Sequence, residues 1–318
     1  MEVNFNKAKF STRMLAFGAD LLLMIVTALG LIIASQAILM HTPFYRNAGD
    51  NIKNIQYESH LYIHGEDNEP LILCDYYSPA SEEEYKIACS EVDKALTEFY
   101  TDAKFFDQTD PESGLYLYNE QKLLSGYFIY EDETHTSVVK KGDVTYETVF
   151  PTYAKFMKED AVSYLVKYPG YLENTRVINV SFIFLILLLP ITLSVTIYEF
   201  IIPLIFRRGR KTIGKLILKL GVVDSRGLSP SFWRFLARFA LFLFFEVLLS
   251  VVSFLIPLIV SISMFAFSKM NQSFHDYMTL TYVVDTSTSS IFMNEKEYKE
   301  SQEKLKDLEI KAKDVYYG

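Results

Sequence analysis

The sequence predicts an α-helical membrane protein with a folded α+β domain inserted between its first two membrane-spanning segments. Three apolar runs, at 14–40, 177–206 and 239–268, each contain a single charged residue, and about 20 apolar residues suffice for a helix to cross a bilayer. Between the first two runs, segment 41–176 carries 25 acidic against 12 basic residues. The whole chain has a net charge of −8, which excludes a strongly basic nucleic-acid-binding protein.

Residues 1–40 are predicted to form a cytoplasmic N-terminus and the first transmembrane helix. Lys7, Lys9 and Arg13 precede the apolar run, and positive charges beside a span favour the cytoplasmic side. The run has 27 residues, whereas the apolar core of a secretory signal has only about 7–15. We therefore expect an uncleaved span, with Asp20 as its one charged residue.

Residues 177–206 are predicted to form the second transmembrane helix, with Glu199 as its one charged residue. The loop predicted at 207–231 begins with six basic residues and no acidic residue within 13 positions. Such an excess of positive charge is typical of a cytoplasmic loop. The second transmembrane helix joins segment 41–176 to this cytoplasmic loop. Segment 41–176 is therefore expected to lie on the opposite, extracytoplasmic side.

The third hydrophobic region, 232–268, has two alternative topologies. As one helix it would be about 55 Å long, which is too long for a single crossing. It forms either an interfacial helix around Arg238 followed by one span, or a hairpin of two short helices that turns between residues 250 and 257. The total is then three or four transmembrane helices. We favour the hairpin, which makes the charged tail 269–318 cytoplasmic.

The extracytoplasmic segment 41–176 is rich in Tyr and Phe and poor in Pro and Gly, as folded domains are. A helix is expected over 81–106, because Ser81 can cap it and three glutamates follow in its first turn. Alternating apolar residues over 116–130 and 136–150 predict strands. These elements together predict an α+β domain.

The only two cysteines, Cys74 and Cys89, both lie in this predicted external domain. An oxidising compartment permits a disulfide bond between them, and the sequence leaves the bridged and the free state open. His60 and His64 lack a third ligand at a recognisable spacing, so no metal site is expected.

One phosphate-binding pattern occurs at Gly209–Lys215 but fails two tests of that motif. Leu216 stands where Ser or Thr would hold magnesium, and the segment follows a membrane helix rather than a buried strand. We find no other catalytic or cofactor-binding pattern in the sequence. We therefore expect neither an enzyme nor a bound cofactor.

Three acidic residues lie inside apolar runs, namely Asp20, Glu199 and Glu246. A charge at the bilayer centre costs about 2.5–3.5 kcal/mol on insertion scales, so such residues usually face the interior of a helix bundle. Either they line a pathway for an ion, or they are structural residues that pair with Arg13, Arg234 or Arg238 or are protonated by burial. Asp20 follows Arg13 by seven residues, which puts both on one helix face.

Seven short motifs recur at wide spacing in the membrane part of the chain. In order, they are Arg13–Asp20, Thr212–Lys215, Leu220–Asp224, Gly227–Ser229, Phe235–Arg238, Phe274–Asp276 and Thr281–Val284. Together they resemble the RDD family of bacterial membrane proteins, which takes its name from one arginine and two aspartates. The resemblance covers residues 9–40 and 177–285, and the family generally has a short loop in place of segment 41–176.

The resemblance implies that Arg13, Asp20 and Asp276 are the residues that name the family, with His275 beside the last of them. In the hairpin topology, Arg13 and Asp276 both lie near the cytoplasmic interface and are expected to pair. Together with Glu199 and Glu246, these four residues are the candidates for an ion pathway.

Two functions fit this organisation. The resemblance implies transport in general terms, hence a multi-pass cell-membrane protein that moves an ion or small solute, with a homo-oligomer supplying a sufficient pathway. The alternative is a membrane-anchored receptor or assembly factor whose acidic ectodomain binds an envelope component or a peptide. The lipid bilayer is the partner that the sequence implies directly, and no nucleic acid is expected.

Overall fold

The chain divides into two units that alternate along the sequence. The computed structural model describes residues 5–131 and 137–317, with side chains placed for 5–131, 137–308 and 310. One unit comprises Leu39–Phe182, and the other joins Met1–Ile38 to Ile183–Gly318. The former, called the inserted unit here, is slightly longer than the predicted domain 41–176. Segment 136–150 is predicted to contain strands: its first residue lies outside the described ranges, Val138–Lys140 is a strand, and from Tyr146 onward the segment is helical instead.

Most of the described chain is helical. The main helices are α1 (Phe10–Met40), α2 (Pro43–Glu58), α3 (Glu82–Thr101), α4 (Leu115–Leu124), α5 (Tyr146–Lys155), α6 (Pro169–Ile205), α7 (Ile213–Ile217), α8 (Phe232–Val252), α9 (Ile256–Phe267), α10 (Phe274–Met278) and α11 (Glu295–Tyr317). Helix α5 continues as a π turn over Phe156–Ala161 and a helical turn over Val162–Leu165, and Leu73–Tyr76 forms a further short turn of helix. Short antiparallel strands pair β1 (Tyr62–His64) with β2 (Pro70–Ile72), β3 (Phe128–Tyr130) with β4 (Val138–Lys140), and β5 (Leu220–Asp224) with β6 (Thr281–Asp285).

Within the described residues, three helices, α1, α6 and α8, are long and apolar enough to cross a membrane. The chain is therefore an α-helical membrane protein with an inserted domain. Helix α6 begins at Pro169, eight residues before the apolar run, because proline is well suited to the first turn of a helix. Pro190 and Pro203 lack the amide that a regular helix needs, and a wide π turn precedes each of them.

The third hydrophobic region consists of two helices joined by a sharp break. Helix α8 ends at Val252 and α9 begins at Ile256, with Phe254 at a positive φ between them. The amide of Leu258 donates a hydrogen bond to Ser250 Oγ at 3.1 Å, which holds the start of α9 against the end of α8. Helix α9 has 12 residues, or about 18 Å, so it is shorter than the hydrocarbon core of a bilayer.

A small sheet brings three distant parts of the chain together. Strands β5 and β6 pair in register from Leu220 opposite Asp285 to Asp224 opposite Thr281. The segment before α1 lies along β6, because the amide of Ala8 donates a hydrogen bond to the carbonyl of Val283 at 3.3 Å. The segment before α1, the loop after α6 and the segment after α10 therefore lie next to one another.

The inserted unit is built around α3, whose start matches the prediction. Ser81 Oγ accepts a hydrogen bond from the amide of Glu84 at 3.3 Å. Ala88, Val92 and Phe99 on one face of α3 are buried in the core of the unit. The helix ends at Thr101 rather than at residue 106.

The prediction of a strand over 116–130 is wrong for most of its length, because Leu115–Leu124 is helical. The pattern of this segment fits both periods, and packing decides between them. Tyr118 and Lys122, four residues apart, are both buried, and the ring of Tyr118 stacks on Tyr100 at 5.2 Å between centroids. Only Phe128–Tyr130 forms the expected strand.

Both cysteine thiols of the inserted unit are free and buried. Cys89 Sγ donates to the carbonyl of Tyr146 at 3.7 Å. Burial raises the pKa of Cys74 to about 11 and that of Cys89 to about 12. Of the two states that the sequence left open, the structure has the unbridged one.

Candidate functional site

A cavity of about 120 Å³ lies where α1, α6, α8, α9 and α10 meet, inside the unit that joins Met1–Ile38 to Ile183–Gly318 and is called the membrane unit here. Its wall carries eight ionisable side chains, an unusual number for the interior of an apolar bundle. They are Arg13, Asp20, Glu199, Lys215, Arg238, Glu246, His275 and Asp276. All six residues proposed from the sequence thus line one cavity, although they come from four helices.

Asp276 is the centre of the ion pairs in this cavity. Arg13 Nη2 lies 3.1 Å from one carboxylate oxygen, and Arg238 Nε lies 2.8 Å from the other. Thr281 Oγ1 donates a third hydrogen bond at 3.1 Å. Burial by itself would raise the pKa of Asp276, but the charges of Arg238 and Arg13 hold it well below its usual range. The expected pair between Arg13 and Asp276 is present, and Arg238 shares the same carboxylate.

His275 lies between Glu246 and Arg238, two charged residues of α8. Its Nδ1 lies 2.7 Å from Glu246 Oε1, and its Nε2 lies 3.0 Å from Arg238 Nη2. A guanidinium can only donate hydrogen bonds, so Nε2 is the acceptor and Nδ1 carries the proton that is donated to Glu246. This assignment follows from the hydrogen-bond network and makes the imidazole neutral.

Asp20 does not pair with Arg13, although both lie on α1. Its carboxylate accepts hydrogen bonds from the amide of Gly214, at 2.7 Å, and from Thr212 Oγ1. A Cβ atom at Gly214 would lie 2.2 Å from the carbonyl oxygen of Ala16, so only glycine permits this approach. The pattern that resembled a phosphate-binding loop therefore binds a carboxylate of its own chain.

Glu199 differs from the other acidic residues because it has one long ion pair and accepts no hydrogen bond from the described residues. It is buried, and its nearest base is Lys215, with Nζ 3.9 Å from Oε2. No group in the described part of the chain donates a hydrogen bond to it. Glu246 is similar in part, since only its Oε1 is bound to His275. Both glutamates lie in π turns, Ile197–Ile201 and Leu241–Leu248, and such turns are frequent at functional sites.

Sequence reasoning did not place Lys215 in this cavity and treated Arg238 only as a partner for another charge. A signal for Arg238 was available, because Arg238, Phe242 and Glu246 follow one another at intervals of four on one helix face. No comparable signal exists for Lys215, whose partner Glu199 lies on the other side of a loop. Among the described residues, no group of three or more His, Cys, Asp or Glu side chains is arranged to hold a metal ion.

Apolar spanning helices that enclose a network of charged side chains define a multi-pass α-helical membrane protein. The model of the RDD family matches residues 161–279, little more than a third of the chain, and over this segment the chain is similar to that family of bacterial membrane proteins. The match includes four of the six predicted site residues and leaves out α1, which carries Arg13 and Asp20. No curated protein and no solved structure matches the chain.

Proposed function

We propose that this protein moves a small cation across the membrane through the charged cavity, with Glu199 and Glu246 as the groups that contact the ion. The observation that carries this proposal is the buried carboxylate of Glu199, which accepts no hydrogen bond from the described residues. A buried carboxylate is costly unless a partner compensates its charge. A cation in transit would supply that compensation at intervals.

The charges around the cavity support a positively charged substrate. Four carboxylates face three permanent cations, and His275 is neutral, so the cavity has one excess negative charge. Asp20 and Asp276 use both of their oxygens in hydrogen bonds or ion pairs. The unoccupied oxygens thus belong to Glu199 and Glu246. A volume of about 120 Å³ suits a small ion better than a metabolite.

The proposal includes an orientation in the cell membrane. The six basic residues within 207–219 favour a cytoplasmic loop after α6. Pairing of β5 with β6, and of the N-terminal segment with β6, supports a cytoplasmic location for both termini as well. Helices α8 and α9 then form a hairpin that enters the membrane and returns to the cytoplasmic side. The inserted unit is extracytoplasmic in this orientation.

A flux measurement tests the proposal. The purified chain is reconstituted in liposomes, and uptake of Na⁺, K⁺ and Li⁺ is followed for the wild type, Glu199→Gln and Glu173→Gln. Glu173 is exposed and lies on the same helix, so it controls for the chemistry of the substitution. We expect Glu199→Gln to lower the flux by about tenfold or more, as for loss of a charged ligand, while Glu173→Gln leaves it unchanged. Flux that does not depend on Glu199 would refute the proposal.

The receptor or assembly function is the alternative, and the separate hydrophobic core of the inserted unit favours it as a binding module. Replacing residues 41–168 with a short flexible linker distinguishes the two. Transport and a cellular phenotype that both survive this replacement would contradict the receptor function. Loss of a cellular phenotype with intact flux in liposomes would support it.

A further inference from the structure

A second cavity, of about 510 Å³, lies in the same unit between the loop that follows α6 and the helix α11. We call it the tail groove. Four hydroxyl groups line it, and so do three basic residues, two acidic residues, Ile291 and Phe292. The hydroxyl and charged residues are Thr286, Ser289, Ser290, Ser301, Arg208, Lys211, Lys304, Glu297 and Glu300.

The two acidic residues of the tail groove are already paired. Arg208 forms an ion pair with Glu297, whose other oxygen accepts a hydrogen bond from the amide of Met293 at 2.6 Å. Glu300 lies 4.0 Å from Lys296, which does not line the groove. Among the described side chains, no carboxylate lies within ion-pair distance of the other two bases, Lys211 and Lys304. The groove therefore has two uncompensated positive charges.

Lys211 is held in place by close packing. A Cβ atom at Gly221 would lie 2.4 Å from Ile291 Cδ1 and 3.4 Å from Lys211 Cε, and one at Gly209 would lie 2.6 Å from the same Cδ1. Glycine at both positions thus lets the lysine stem and Ile291 lie against the backbone. The ammonium group donates one hydrogen bond, to Thr286 Oγ1 at 3.2 Å.

An ammonium group has three hydrogens to donate, so two remain for a ligand. Burial lowers the pKa of Lys211, which means that its charged form is incompletely solvated. An anion in the tail groove would compensate that loss. Phosphate oxygens accept several charge-assisted hydrogen bonds at once, and clustered lysine and hydroxyl groups suit them.

We propose that the tail groove binds a phosphate-bearing anion, with Lys211 as its central contact and Lys304, Ser289 and Ser290 as further donors. A groove of this volume is large enough for a phosphorylated small molecule. The phosphate belongs either to a soluble molecule or to a lipid headgroup. Both sources present the same chemistry to Lys211.

Two binding measurements on the full-length protein distinguish these sources of the phosphate. Calorimetry on the chain in detergent measures its affinity for ADP and for inorganic pyrophosphate. Co-flotation of the chain in detergent-free nanodiscs measures its binding to vesicles with and without phosphatidylglycerol. The variants are Lys211→Gln, Lys211→Arg, Lys304→Gln and, as a matched control, Lys299→Gln. Lys299 is an exposed residue of α11 that does not line the groove.

We expect Lys211→Gln to weaken binding by about tenfold, Lys304→Gln to weaken it less, and both Lys211→Arg and Lys299→Gln to retain it. Binding of ADP or pyrophosphate identifies a soluble ligand, whereas binding only to phosphatidylglycerol vesicles identifies a lipid headgroup. The proposal is overturned if none of the three probes binds. It is equally overturned if Lys211→Gln binds as well as the wild type or if Lys299→Gln loses as much affinity as Lys211→Gln.

Discussion

The backbone amide of Gly214 donates a hydrogen bond to the carboxylate of Asp20 at 2.7 Å, and this contact joins the first membrane helix to the loop that follows the second. It satisfies a buried charge and an otherwise free amide at the start of α7. It requires α1 and the loop to lie so close together that a side-chain Cβ atom at position 214 would clash with the backbone of α1. The positions of Asp20 and Gly214 therefore depend on each other.

Replacing Gly214 with alanine should destabilise the protein. The added methyl group would lie 2.2 Å from the carbonyl oxygen of Ala16, and overpacking of this kind costs about 1–3 kcal/mol. Thermal unfolding in detergent measures the loss as a lower Tm. Gly18→Ala is the control, because nothing lies within 4 Å of a Cβ atom there. An equal effect of both substitutions would contradict the role of the close approach.

Exchange of the charges of Arg13 and Asp276 should give incomplete rescue. Removing one partner of a buried ion pair costs about 3–5 kcal/mol, so Arg13→Asp and Asp276→Arg each destabilise the protein. In the double variant, the new arginine at position 276 faces Arg238, whose Nε lies 2.8 Å from the present carboxylate. Tm values of both single variants and the double variant test this. Full rescue would show that Arg238 contributes nothing to the pair.

Labelling of single introduced cysteines tests the proposed orientation. Leu124 of the inserted unit is 79% exposed, and Lys306 of α11 is also exposed. In intact cells, a membrane-impermeant maleimide should modify Leu124→Cys and leave Lys306→Cys unmodified until the cells are opened. Labelling of Lys306→Cys from outside would place the tail on the other side of the membrane and contradict the orientation.

The native thiols should react slowly, which makes the wild-type chain a suitable background for that labelling. With a pKa of about 11, Cys74 has about a thousandth of its thiol as thiolate at pH 8, and the thiolate is the reactive form. The raised pKa means that reactivity increases with pH. Mass spectrometry should find two added labels only after unfolding, and the mass before labelling should not change on reduction. A gain of two hydrogens on reduction would indicate a disulfide bond.

Some features of this fold are predictable because one strong local signal decides them. The apolar runs of α1, α6 and α8 are long enough to cross a bilayer, whereas the apolar core of a secretory signal would be shorter. Ser81 followed by three glutamates marks the start of α3. The pair between Arg13 and Asp276 required more, because it depends on the resemblance to a family and on a topology that brings distant segments together.

Other features depend on contacts that no local pattern encodes. The segment of α4 is predicted to form a strand, and the packing of Tyr118 on Tyr100 favours a helix instead. Strands β5 and β6 are separated by some 60 residues, and each reads only as a short apolar run. Lys215 lies beside Glu199 because of the conformation of the loop between them. No rule of residue spacing predicts that conformation. Such contacts are set by tertiary structure rather than by periodicity.

The sharing of Asp276 between two arginines has a consequence for synthesis of the chain. Arg13 is synthesised long before Arg238, and Asp276, whose carboxylate pairs with both, follows Arg238 by 38 residues. Until Asp276 and β6 have been made, both guanidinium groups lack this partner, and the edge of β5 is unpaired. A truncated chain that stops before residue 276 would therefore expose two uncompensated charges to a membrane quality-control protease. The cavity is therefore complete only after Asp276 and β6 have been synthesised.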